Sequence, residues 1–157
     1  MAYTDIISLS DAKIYLRIDD TLTEDDNDII RMINASLRYV EKYTNVLVYA
    51  RDKNYLVEQG LLKVYDYPIN TDLDTLTDYT VERKGLYTNI CANNTDTFDL
   101  TLDVGYLYSD GVPQELLEVA YELIDLYYYG EKDGKPIDKK LSELSIDALN
   151  QNKRFFI

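Results

Sequence analysis

The sequence predicts an α+β fold: a mostly helical body carrying a small antiparallel β-sheet module and an extended C-terminal tail. Three observations lead there. Apolar residues recur at helical spacing in two N-terminal segments and in one long segment near the C-terminus. Between them, residues 46–104 hold short runs rich in Val, Ile, Leu, Tyr and Thr, each bounded by turn residues. Those runs alternate with turns and not with helices, which favours antiparallel pairing over a βαβ array. With 157 residues the chain is expected to form one domain over 1–130, followed by a linker and tail over 131–157.

Residues 8–18 read as the first helix. Ser8 followed by Asp11 resembles a capping box, and Leu9, Ala12 or Lys13, and Leu16 have helical spacing. The second helix is expected over 24–44. Thr23 is a good N-cap, and Glu24, Asp25, Asp26 and Asp28 favour the positive end of the helix dipole. Ile29, Ile30, Ile33, Leu37 and Val40 mark its apolar face, and Asn45 is a plausible stop.

The β module follows. Val46–Ala50, Tyr55–Val57, Leu61–Tyr67, Tyr79–Arg83 and Leu86–Ile90 have strand composition, with Lys84-Gly85 as a hairpin turn. Phe98, Leu100, Leu102 and Val104 alternate with Asp99, Thr101 and Asp103, the period of a half-buried strand. Gly105 marks a bend, Ser109-Asp110-Gly111 a turn, and Pro113 the first turn of the long helix 113–129, which Gly130 is expected to stop.

That helix has a narrow polar stripe of Gln114, Glu118, Glu122 and Asp125, with Glu115 beside it, and is apolar over most of the rest. A helix of this kind is buried on more than one side. Two readings stand: the central helix of a monomeric core, or a helix shared with a second copy through Leu117, Tyr121, Ile124 and Tyr128. After Gly130, residues 131–136 read as a loop. The tail ends Lys153-Arg154-Phe155-Phe156-Ile157. Such an end is too apolar for a solvating tail, so it either folds back on the body or docks on a partner.

Composition narrows the function. The formal net charge of −13 disfavours holding nucleic acid through its phosphates. It suits solubility, or a surface that must repel DNA. Cys91 is the sole cysteine, which fits a reducing compartment. The N-terminal residues do not read as a signal peptide, and no apolar run approaches the roughly 18 residues of a membrane span. The chain contains no His, so the commonest general base and metal ligand is missing, and Cys91 has no histidine to activate it. No phosphate-binding or dinucleotide-binding glycine motif is present. The acidic run Asp19–Asp28 lacks the glycine and the closing carboxylate of a calcium loop. The expectation is therefore no enzyme, no cofactor and no metal.

The order of the segments resembles the phage head–tail connector, or head-completion adaptor, family. The resemblance is carried by Ser8–Asp19 and by Asp25-Asp26 followed by Ile29-Ile30, Ile33, Ala35-Ser36, Val40-Glu41 and Tyr43-Thr44. It continues in Tyr67-Pro68-Ile69, then in Leu102–Tyr106 with Val112-Pro113, Leu116 and Ala120, and in Ser145–Leu149 with Lys153-Arg154-Phe155. Where the family usually has a Trp near the end of the last long helix, this chain has Tyr127 and Tyr128. The resemblance implies a structural virion protein at the head–tail junction, assembled in the host cytoplasm. Its implied partners are the portal protein, further copies of itself in a ring, and the next head-completion or tail protein. DNA would pass through the lumen as non-specific cargo, and no membrane is involved. On this reading Lys153, Arg154, Phe155, Phe156 and Ile157 dock on the portal or a neighbour. Glu115, Glu118, Glu122, Asp125, Asp25, Asp26 and Asp28 are candidates to line the lumen. The competing reading is an acidic DNA-mimicking inhibitor of a DNA-handling enzyme, which needs the same density of carboxylates.

Overall fold

The computed structural model describes residues 2–93, 96–132 and 141–153. Their elements run α1 (Leu9–Leu16), α2 (Asp26–Thr44), β1 (Arg51–Val57), β2 (Leu61–Val64), β3 (Tyr79–Arg83), β4 (Thr88–Ala92), β5 (Phe98–Val104), α3 (Gln114–Lys132) and α4 (Glu143–Asn152). The fold is α+β, as the sequence predicts, with two small antiparallel sheets where a single module was expected.

α1 begins as read: the Ser8 side chain accepts a hydrogen bond from the Asp11 N–H. It ends two residues early because Arg17 adopts a left-handed conformation, with φ 59°, and closes the last turn. α2 starts two residues later than expected. Thr23 is not its N-cap; Asp25 holds that position and makes no side-chain cap bond. Asn45, with φ 60°, ends α2 where the sequence placed the stop.

In the β module, β1 pairs with β5 in register from Arg51 opposite Val104 to Val57 opposite Phe98. A second sheet has the order β2-β4-β3. Val46–Ala50, expected as a strand, is not one. Val46 makes a single bridge to Tyr67, and the Val48 N–H is taken by the Glu41 carboxylate at 3.0 Å. Gly105 bends the chain after β5 with φ +106°, and a Cβ there would lie 2.1 Å from the Tyr49 carbonyl oxygen. Only glycine lets the two backbones approach so closely.

Two apolar clusters result. Leu47, Val57, Leu62, Val64, Leu73, Ile90, Leu102 and Val104 fill the β module. The larger cluster joins α1, α2, α3 and α4, with Ile29, Ile33, Leu37 and Val40 of α2 against Leu116, Ala120, Leu123 and Ile124 of α3.

The C-terminal third differs most from expectation. α3 does not stop at Gly130 but continues to Lys132. Glycine inside a helix costs about 1 kcal/mol. Long-range contacts of the last turn offset that: the Tyr128 hydroxyl donates to Asp25 at 2.8 Å, and the Tyr129 hydroxyl to the Leu16 carbonyl at 3.2 Å. The tail is not simply extended either. Residues 143–152 form α4, which packs on α2 and α3 and places Leu149, 2% exposed, in the main core.

Candidate functional site

The predicted acidic residues of α3 lie on the outside of the helical body. A helix turns about 100° per residue. On α3 this sets Leu116, Ala120 and Ile124 on the core side, and Glu115, Glu118, Glu122 and Asp125 on a line along the opposite side. α1 and α4 rise on either flank of that line. Tyr15 of α1 and Leu144, Ser145 and Ala148 of α4 complete a groove floored by Glu115, Glu118 and Glu122. Tyr15 stacks on Tyr121 with ring centroids 4.9 Å apart. Burial raises the Tyr15 phenol above its ordinary value, and the nearby Asp125, Glu118 and Glu122 raise it further. The α4 side is apolar and wet: Leu144 is 82% exposed.

Glu122 has a structural task that the sequence did not disclose. It accepts the Ser142 N–H at 2.6 Å, the Ser142 hydroxyl at 2.9 Å, and the Ser145 hydroxyl. Partial burial pushes its carboxyl upward, but the hydrogen bonds from Ser145 and Ser142 outweigh that and hold it below the ordinary value. The carboxylate thus fixes the first turn of α4 to the middle of α3, while Ser142 itself caps α4 by accepting the Ser145 N–H at 3.2 Å.

The second acidic cluster is largely committed to the fold as well. Asp25 receives the Tyr128 hydroxyl. Asp26 pairs at 2.6 Å with Lys13, which is only 2% exposed. Lys13 also donates to the carbonyls of Asp20 at 3.2 Å and Leu22 at 2.7 Å, tying α1 to the α1–α2 loop and to the start of α2. Asp28 lies near Arg31 at 3.4 Å, both well exposed. Glu118 takes a hydrogen bond from the Gln114 side chain at 2.8 Å on the surface.

Of the four residues read as subunit contacts, Ile124 is 0% and Tyr128 6% exposed within this single chain. Both already belong to the main core of the helical body. Leu117 and Tyr121 are half-buried and keep surface for a neighbour. Lys153 ends α4 with its ammonium 4.7 Å over the Tyr43 ring. Arg154, Phe155, Phe156 and Ile157, the rest of the expected docking segment, lie outside the described residues.

A feature missed in the sequence lies on α2. Arg31, Ala35, Arg38 and Lys42 share one exposed line, opposite the face that packs on α3. Their spacing of four, three and four residues was readable as a helical stripe. Tyr39, 40% exposed, sits beside it, and the Arg38 guanidinium lies 5.8 Å over the Tyr3 ring. Among the described residues, no group of three or more His, Cys, Asp or Glu is placed to hold a metal ion, and no helix is long and apolar enough to cross a membrane.

No protein-family model and no curated protein matches the sequence. Solved structures do match the fold. A chain from the neck of an empty GTA particle, computed with C6 symmetry, has a TM-score of 0.74 at 10% identity, covering 99% of this chain and 92% of that one. A chain from the virion of a native gene transfer agent (GTA) particle has a TM-score of 0.75 at 11% identity, covering 100% and 94%. This chain shares the fold of those two chains. The likeness spans both chains nearly end to end, so it includes the helical body, the β module and α4.

Proposed function

We propose that this chain is a structural virion protein of the head-to-tail junction. Copies of it form a ring beneath the portal, the next ring or the tail attaches below, and DNA passes through the lumen. The observation that carries the reading is the fold shared over nearly the whole of both chains with a protein of a particle neck. The order of short segments in the sequence points the same way independently. On this reading the protein catalyses nothing. It resides in the particle after assembly in the host cytoplasm, and residues 153–157 dock on the portal or bridge subunits. The net charge of −13 suits a conduit, because basic groups around a lumen would bind DNA and slow its passage.

The test is sedimentation velocity and electron microscopy of the purified chain, alone and mixed with the portal protein of the same particle. Rings stacked on portal are expected. A chain that stays monomeric with portal, or that instead binds a DNA-handling enzyme tightly in competition with DNA, overturns the reading.

A further inference from the structure

The helical body has two outer faces of opposite sign. α2 and α3 pack core to core, so their outer stripes point away from each other. The α2 stripe presents Arg31, Arg38 and Lys42, all exposed. The α3 stripe presents Glu115 and Glu118 at the floor of a groove walled by α1 and α4. The groove is open, has the apolar Leu144 on its α4 side, and runs along a helix. A chain with a net charge of −13 gains little from generic attraction to its own copies, since the overall field is repulsive. The exposed α2 cations, with Arg31 beside Asp28 and Arg38 over the Tyr3 ring, are nonetheless segregated onto one line, a local feature that a local acidic surface complements.

We propose that copies of this chain associate head to tail, with the α2 stripe of one copy lying in the α3 groove of the next. Arg31, Arg38 and Lys42 meet Glu115 and Glu118, Tyr39 packs towards the exposed Leu144, and Leu117 and Tyr121 lie beneath the contact. Two different faces of the same chain meet, so the contact is heterologous and propagates; it closes into a ring if the rotation allows. The inference rests on the ring reading above, and it assigns Glu115 and Glu118 to a subunit contact, not to the channel. A helix laid along a partner's groove is an established mode of recognition, and here complementary charge would supply the specificity.

The experiment uses two full-length variants. Glu115→Arg with Glu118→Arg makes both faces basic. Arg31→Glu with Arg38→Glu and Lys42→Glu makes both faces acidic. Both variants keep a strongly negative net charge, so attraction between them is not generic. Each alone, with or without portal, is expected to lose at least about tenfold in self-association, because like charges then meet across the contact. Mixed, they are expected to associate at low salt and to come apart as salt rises, through alternating unlike faces. Sedimentation velocity reads all of these states, and circular dichroism checks the fold. If either variant misfolds, the neutral sets Glu115→Gln with Glu118→Gln, and Arg31→Gln with Arg38→Gln and Lys42→Gln, replace them, and both are expected to weaken assembly. The inference is overturned if the mixture does not associate at low salt, if each variant assembles like the parent, or if the neutral sets have no effect. If the mixture associates but neither it nor the parent forms rings on portal, the facial contact stands and the ring reading fails.

Discussion

Replacing Glu122 with Ala should release α4 while leaving the rest of the body folded. The side chain receives three hydrogen bonds from Ser142 and Ser145. A hydrogen bond to a charged group contributes roughly 1.5–3 kcal/mol when well protected. This carboxylate is only partly buried, so solvent screening reduces that contribution. Ser142 also keeps its own capping bond to the Ser145 N–H in the variant. A net loss of about 1–2 kcal/mol follows, or roughly a five- to thirtyfold fall in the protection of the α4 amides. Native-state hydrogen exchange can resolve this by comparing residues 146–152 with residues 29–40 of α2. The pH dependence has a definite sign. Because Glu122 is held below its ordinary value of 4.5, its stabilisation is fully present above that value and is lost as pH falls through the lower folded value. The parent should therefore show a loosening of α4 below pH 4.5 that the Ala variant lacks. Unchanged protection in α4, or an equal fall in α2, would refute the reasoning. The first result would mean that the three bonds do not hold the helix, the second that α4 does not open separately.

Other perturbations test the same architecture. Lys13→Met should lower stability by about 2–4 kcal/mol, seen as a lower urea midpoint, because Asp26 loses its cation and two carbonyls lose their donor. Leu149→Ala should cost about 2–5 kcal/mol in thermal unfolding if α4 is part of the main core, and far less if it is a loosely attached tail. Gly105→Ala should destabilise by more than about 2 kcal/mol, because its Cβ would overlap the Tyr49 carbonyl, whereas Gly85→Ala should cost only about 1–2 kcal/mol for its left-handed conformation. Tyr3 should ionise late in an alkaline absorbance titration, since burial and the adjacent Glu41 push it up to about 12. Its stabilising contribution is present below pH 10 and lost as pH rises through that folded value, and Tyr3→Phe should remove the component.

What could be read from the chain follows from where each determinant sits. α1 and the end of α2 were legible because their signals are local: Ser8 with Asp11, the apolar period of α2, and Asn45 as its stop. β5 was legible because its alternation is unbroken from Phe98 to Val104. α4 was not, because its first turn is fixed by Glu122, twenty residues upstream. Its apolar content misleads as well: Leu144 and Ile146 face solvent and Leu149 alone is deeply buried. Gly130 was read as a stop on the same local logic, and contacts to Asp25 and Leu16, more than a hundred residues away, override it. Val46–Ala50 has strand composition, but Glu41 takes the Val48 N–H that a ladder would need.

The charge pattern shows the limit most sharply. Seven carboxylates were singled out by density, as if each were available to a channel or a partner. The fold commits Glu122 to α4, Asp25 to Tyr128 and Asp26 to Lys13, and none of these pairings is encoded in local spacing. Lys13 is a charged residue in the last turn of a short helix, which by composition belongs on the surface, yet it is only 2% exposed. A net charge of −13 likewise conceals the alignment of Arg31, Arg38 and Lys42 along one side of α2, because a sum over the chain does not report which face each charge occupies. Assembly contacts depend on the local field within about 8 Å at physiological salt, the distance over which screening leaves it effective. At that range the acidic groove and the basic stripe are distinct surfaces with opposite preferences. The total charge therefore governs what the protein repels at a distance, while the contact proposed above depends on the placement of five exposed side chains on two helices.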